Sequence, residues 1–269
     1  MHKLKRLLGL LLFLFMLPIA IGQLPFPNNK TSLEEQPEQK LVAYAAAPMI
    51  ETEEPYLPSP FQVLLLFTHS HETYKPVVKL KSGVQAVYDE QTNIFSMQEL
   101  IGHYLQLNGL QSTVLDLDVM TVMKQQGANF YQAYDVVRPY LAEELNKNQY
   151  DLVLDIHRDS AKSAVTTIEA DGQKFAKIAF VIGAEHAGYE SNFAYAEILS
   201  ERLNTIVPGI SRGVIKKQGE DVDGVYNQDL SPVMLLVELG GIDNSEEQLQ
   251  RTMAVLAQAI AKTFVTEQL

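Results

Sequence analysis

Unbroken apolar runs alternate with helically spaced ones along most of this chain. Gln62-Val63-Leu64-Leu65-Leu66-Phe67 is too apolar for a strand with one wet face and suits a strand buried on both sides. Leu152-Val153-Leu154-Asp155-Ile156 and Val233-Met234-Leu235-Leu236-Val237 have the same character, and Ser112 to Asp116 reads as a further strand. Between these runs the period lengthens. Ile94, Met97, Ile101, Tyr104 and Leu105 predict a helix over 94–107, stopped by Asn108-Gly109. Val136, Val137, Tyr140, Leu141 and Leu145 mark the inner side of a second helix over 129–146. Val165 to Glu169 and Phe175 to Ile182 flank Asp171-Gly172, a pair suited to a tight turn, so they predict an antiparallel hairpin. Helices over 192–206 and 245–264 follow, and Ser245 with Gln248 forms a capping box at the start of the last. Strands alternating with helices predict an α/β three-layer sandwich with a mostly parallel central sheet.

The N-terminal quarter obeys different rules. A basic cluster, His2-Lys3-Leu4-Lys5-Arg6, precedes an apolar run from Leu7 to Ile21 with no polar face. That is the pattern of an export signal or a short membrane anchor. Retention as an anchor is favoured, with cleavage after Gly22 as the alternative. Residues 23–60 are rich in Pro, Glu, Gln, Asn and Ser and read as a disordered acidic stalk. Residues 61–269 are left for the catalytic body, placed outside the cytoplasm at the membrane or secreted.

Charge and composition narrow the chemistry. With 21 basic and 33 acidic residues among 269, the net charge is −12. Nucleic acid is disfavoured as a partner, because phosphate binding needs basic patches. Cysteine is absent, which removes thiolate metal sites, cysteine nucleophiles and disulfides together.

Three of the six histidines fall in two short stretches, each closing an apolar run: Thr68-His69-Ser70-His71-Glu72-Thr73-Tyr74 and Asp155-Ile156-His157-Arg158-Asp159. Strand ends are where open α/β sheets build their sites. His69 and Glu72 stand three apart just past the first strand, and His157 joins them if its strand is a neighbour. Two imidazoles and a carboxylate with one position left for water make a catalytic zinc set. Glu238 ends a third buried strand and supplies a general base. His71 competes with His69, but strand alternation and the spacing to Glu72 favour His69. His103 lies in a helix, where it packs or meets solvent. His186 sits in a glycine-rich loop, with substrate contact as its lesser reading. Arg158, Arg212, Asn227 and Asp229 lie near predicted strand or loop ends and are candidate substrate contacts.

Phe67 to Tyr74, Asp155 to Asp159, Tyr226-Asn227-Gln228-Asp229-Leu230 and Leu236-Val237-Glu238-Leu239-Gly240-Gly241, in that order, resemble the stage II sporulation protein P family. The resemblance covers about Gln62 to the C-terminus. It implies an amidase-like fold, zinc held by His69, Glu72 and His157, and Glu238 as the catalytic acid/base. It further implies hydrolysis of peptidoglycan at the N-acetylmuramoyl-L-alanine amide during engulfment, with cleavage of stem-peptide cross-links as an associated activity. Stage II sporulation protein D and a membrane protein are the implied partners. Phe67 departs from the family pattern, in which many members carry another His. Two alternatives stand beside this reading: a D,D-endopeptidase or carboxypeptidase-like zinc peptidase, and a non-catalytic wall-binding module on the same fold.

Overall fold

A computed structural model describes residues 60–265. The expected anchor over 1–22 and all of the expected stalk except Pro60 lie outside those residues. Among the described residues, no helix is long and apolar enough to cross a membrane.

The strands are β1 (Gln62–Leu66), β2 (Gln111–Val114), β3 (Leu152–Asp159), β4 (Thr167–Ala170), β5 (Gln173–Ala176), β6 (Ile178–Gly183), β7 (Ser211–Lys217) and β8 (Met234–Gly241). The helices are α1 (Lys75–Ser82), α2 (Gln98–Leu107), α3 (Val119–Gln126), α4 (Ala133–Lys147), α5 (Ser163–Thr166), α6 (Tyr189–Ile206) and α7 (Glu246–Phe264). Six strands form one sheet in the order β2-β1-β3-β8-β6-β7. The first four run parallel, while β6 and β7 are parallel to each other and opposed to β8. The sheet is therefore mostly parallel, as its apolar runs predict.

Helices cover both faces. Val63, Leu65, Leu154, Ile156, Leu235, Val237 and Phe180 pack with Ile101 and Leu105 of α2, Leu199 and Leu203 of α6, and Met253 and Leu256 of α7. Leu64, Leu66, Val153 and Met234 pack on the other side with Met123 of α3 and Val137 and Leu141 of α4. This is the three-layer arrangement, and its apolar filling supplies most of the driving force for folding.

Local chemistry explains the boundaries. The Ser245 capping box is present in full. Asp118 caps α3 by accepting from Thr121 N. The hairpin turns at Asp171-Gly172, both with positive φ, and pairs β4 with β5. Its second arm is shorter than expected, because the chain leaves it at Ala176 and enters the main sheet as β6. Tyr140, expected on the inner side of α4, is exposed.

Candidate metal centre

The site lies where one face of the sheet changes from apolar to ionisable. On β3, Val153 is followed at two-residue intervals by Asp155 and His157, and on β8 Met234 is followed by Leu236 and Glu238. Successive residues of a strand alternate faces, so these positions share the α4 side. The register sets Leu66 beside Asp155, Asp155 beside Leu236, and His157 directly beside Glu238. The β3–β8 register then shifts between His157 and Asp159, a bulge at the point where a strand re-aims its side chains.

The turn after β1 sorts its polar residues into two groups. Glu72 N donates to His69 O at 2.9 Å, closing the chain back on itself. Ser70 Oγ donates to Asp118 Oδ1 at 2.6 Å, and His71 Nε2 lies 2.9 Å from Asp118 Oδ2. His71 is thereby committed to α3. His69 and Glu72 face β3 instead. The His69 ring meets His157 edge-on at 5.3 Å, and Glu72 Oε2 lies 3.8 Å from His157 Nδ1. His69, Glu72, His157 and Glu238 thus come from three adjacent strand ends to one place.

Asp155, a residue the sequence motif contains but does not explain, lies beneath His157. It is fully buried, accepts from Thr68 N at 3.0 Å and Thr68 Oγ1 at 2.6 Å, and stands 3.0 Å from His157 Nε2. Burial alone would raise its pKa, but His157 and the Thr68 hydrogen bonds hold it below the usual value. Burial likewise opposes a charge on His157, yet Asp155, then Glu72 and Glu238, raise its pKa to about 9. Burial, reinforced by His157, lowers that of His69 to about 3. Burial raises Glu72 against the pull of His157 and Arg158. It pushes Glu238 up to about 7, with His157 opposing and Glu72 adding.

Among the described residues, no three His, Asp or Glu side chains close into a ready metal-holding group. The donor atoms nevertheless fit one. His69 Nδ1 and Glu238 Oε2 are sealed from solvent without a hydrogen-bond partner, and His157 turns Nδ1 toward Glu72 Oε2 at 3.8 Å. His157 Nε2 is the nitrogen turned to Asp155 Oδ1, 3.0 Å away, which leaves Nδ1 on the side of the other candidate ligands. Buried polar groups are normally satisfied, and these unspent atoms beside two imidazoles and a second carboxylate would suit a cation. Nitrogen and carboxylate oxygen without thiolate suit zinc. A carboxylate behind a ligating imidazole also matches the support such ligands need.

The four candidate substrate contacts are each engaged by protein groups, Arg158 directly beside the site. Arg158 is buried, with its backbone N–H on Glu72 Oε2 at 2.9 Å and its guanidinium on Val87 O and Asp159 O. Arg212 pairs with Asp159 at 2.5 Å. Asn227 and Asp229 both meet Arg138, the latter through two parallel hydrogen bonds. His103 is exposed on α2, and His186 Nδ1 lies 3.3 Å from Ala187 O.

A cavity of about 610 Å³ opens over His69, lined by Phe130, Tyr131, Tyr134, Lys217 and Tyr226 among others. Phe130 stacks on His69 at 4.3 Å, and Tyr134 stands edge-on to the same ring at 5.7 Å. Sequence periodicity assigns these aromatics to a helix start. Only the strand order brings them over the histidines.

The sequence profile of the stage II sporulation protein P family matches residues 26–261. The stage II sporulation protein P of Bacillus subtilis (strain 168) is 34% identical over 205 residues, which is 75% of this chain and 51% of that protein. The chain thus spans about half the length of that relative. Among solved structures, an N-acetylmuramoyl-L-alanine amidase from Clostridium difficile 630 aligns with a TM-score of 0.47 and 14% identity, over 78% of this chain and 98% of that one. A metallo-carboxypeptidase from Burkholderia cenocepacia gives 0.42 and 10%, over 79% and 58%.

Proposed function

The chain belongs to the stage II sporulation protein P family, and on that premise we propose that it is a zinc-dependent cell-wall hydrolase of sporulation. Its bond is the amide between muramic acid and the first alanine of the stem peptide. The observation that carries this reading is the pairing of Glu238 with His157 on adjacent strands. It sets a carboxylate with a pKa near 7 beside the His69-Glu72-His157 trio, where a general base at neutral pH belongs. A binding module needs no such base.

Zinc held by His69, Glu72 and His157 would supply a Lewis acid and lower the pKa of a water toward about 7. Glu238 accepts a proton from the attacking water as its oxygen adds to the carbonyl carbon. It then returns that proton to the alanine nitrogen as the C–N bond breaks. Asp155, itself held by Thr68, supports the His157 ring, and Arg158 N–H fixes one oxygen of Glu72. The basic cluster and apolar run of residues 2–21 support action outside the cytoplasm. Work alongside stage II sporulation protein D and a membrane partner is part of the same proposal.

The test is digestion of purified peptidoglycan by the full chain, with and without chelator, and mass analysis of the new ends. Free N-terminal alanine that disappears with chelator is expected. Glu238→Gln should retain metal and lose about 10²- to 10⁴-fold in kcat. Shortened or uncoupled stems would favour the peptidase reading, and a Glu238→Gln variant at normal rate would remove the base assignment.

A further inference from the structure

Addition of water to an amide carbonyl places negative charge on its oxygen, and this site is crowded with carboxylates. Asp155, Glu72 and Glu238 all stand around His157, so a neutral or cationic donor is needed where that charge develops. Arg158 is unsuited, since its guanidinium is tied to Val87 O, Asp159 O and the Glu72 carboxylate at 3.7 Å, packs over the Tyr88 ring, and keeps its one unpartnered nitrogen, Nε, sealed from solvent. The Tyr74 phenol is spent on Leu239 O at 2.7 Å, and Tyr88 lines the cavity beside His71 rather than the one over His69. Tyr134 is different. Its ring lies parallel to that of His157 at 6.2 Å, edge-on to His69 at 5.7 Å and edge-on to Tyr226 at 5.2 Å. It lines the cavity over His69, and its hydroxyl forms no hydrogen bond among the described residues.

We propose that Tyr134 is a catalytic residue whose phenol donates a hydrogen bond to the carbonyl oxygen of the scissile amide, a role that rests on the amide-hydrolase reading above. No proton leaves the phenol. The donor stabilises the charge as water adds and is released when the C–N bond breaks. The Tyr226-Asn227-Gln228-Asp229 segment, which otherwise has no role in the chemistry, is what holds Tyr134 in position. Asn227 Nδ2 donates to Tyr134 O at 2.9 Å, and Arg138 Nη1 donates to Asn227 Oδ1 at 2.9 Å. Arg138 is anchored in turn by both oxygens of Asp229. The Gln228 side chain accepts from Gly183 N at 2.9 Å and donates to Val181 O at 2.8 Å, fixing the segment to β6. Tyr226 and Asn227 both adopt left-handed φ, at 54° and 56°. Side-chain-bearing residues stay there only where their surroundings over-determine them, and these six hydrogen bonds do so. Tyr226 closes the wall against Tyr134.

The experiment compares Tyr134→Phe and Tyr226→Phe with the native full chain on a disaccharide-peptide muropeptide. Phenylalanine keeps the ring packing on His157 and removes only the hydroxyl. Tyr134→Phe should lose on the order of 10²- to 10³-fold in kcat, as removal of one such donor does, with KM, melting temperature and zinc affinity unchanged. Its affinity for a phosphinate analogue of the muramoyl-alanine amide should fall by the same factor. Tyr226→Phe should lose far less. Native kcat in Tyr134→Phe, or a loss confined to KM, overturns the proposal. If the native chain cuts only another stem-peptide amide, the bond assignment above falls. The same split between kcat and KM on that amide then decides the donor.

Discussion

Asp155→Asn isolates the most deeply placed group of the site. The carboxylate is fully buried and serves Thr68 N, Thr68 Oγ1 and the His157 ring at once. Asparagine has the same shape but only one accepting atom, so either its amide N–H₂ opposes a donor or the buried Thr68 hydroxyl turns to accept and its own hydrogen loses its acceptor. An opposed buried donor costs about 1–3 kcal/mol, and a hydrogen bond to a charged group exceeds a neutral one by about 1 kcal/mol. Together these give about 3 kcal/mol, the lower edge of what breaking a buried pair costs, about 3–5 kcal/mol. For a domain of this size each kcal/mol moves Tm by about 2–4 °C, so a fall of about 6–12 °C is expected in the metal-free protein. Zinc affinity, measured by competition with a chromophoric chelator, should weaken about 10- to 100-fold as His157 loses its support. Thr68→Val is the control. It removes only the hydroxyl bond, costs about 1 kcal/mol, and should leave zinc affinity nearly intact. Native stability together with native zinc affinity in Asp155→Asn would refute the assignment of Asp155 as the residue that orients His157.

Two more outcomes follow from the geometry. Burial would raise the Asp118 pKa, but hydrogen bonds from Ser70, His71 and Thr121 hold it below the usual value. Its stabilisation is therefore present above the unfolded carboxylate pKa and lost as pH falls through the lower folded one. Asparagine caps helices as well as aspartate, so Asp118→Asn should destabilise near neutral pH and match the native chain in strong acid; urea titrations showing a pH-independent gap would contradict this. In Gly183→Ala, the new Cβ would lie 2.4 Å from Gly224 O and 2.7 Å from Gly224 C. Relieving that backbone clash should cost about 1–3 kcal/mol and displace the loop bearing Tyr226, visible as a lower Tm with reduced turnover; an unchanged melting curve would show that the loop yields freely.

The strands that carry the chemistry were the easiest to read. Their buried apolar runs need no partner to be recognised, and the polar residues that end them mark the site. Strand order was not in the runs. Nothing local says that β3 lies between β1 and β8, yet that order makes Asp155 a support for His157 and brings Thr68 over it. Strand direction was equally silent, so the reversal of β6 against β8 and the early end of the hairpin arm escaped detection. The strand β7 at the sheet edge is mixed in polarity and broken by Gly213 at φ 87°, so it shows no alternation. The helix α3 has only eight residues, too few for a period to stand out. Asn227 and Asp229 stand out in the sequence only as polar residues near a strand. Their partner Arg138 is 89 and 91 residues away, beyond any local pattern.

Glu238 sits within β8, in register with His157 on one side and Ala179 on the other. Its main chain is therefore clamped between two neighbours, and it cannot travel to meet a substrate. On the proposed reading, selection of the substrate falls instead to side chains that line the cavity from outside the strands, Phe130, Tyr131 and Val222 among them, while Tyr134 stays with the chemistry. Catalysis and selectivity are thus written into separable parts of one polypeptide. A descendant could change those lining side chains and address a different amide while inheriting the same base, which makes the strand ends a durable starting point for new hydrolases.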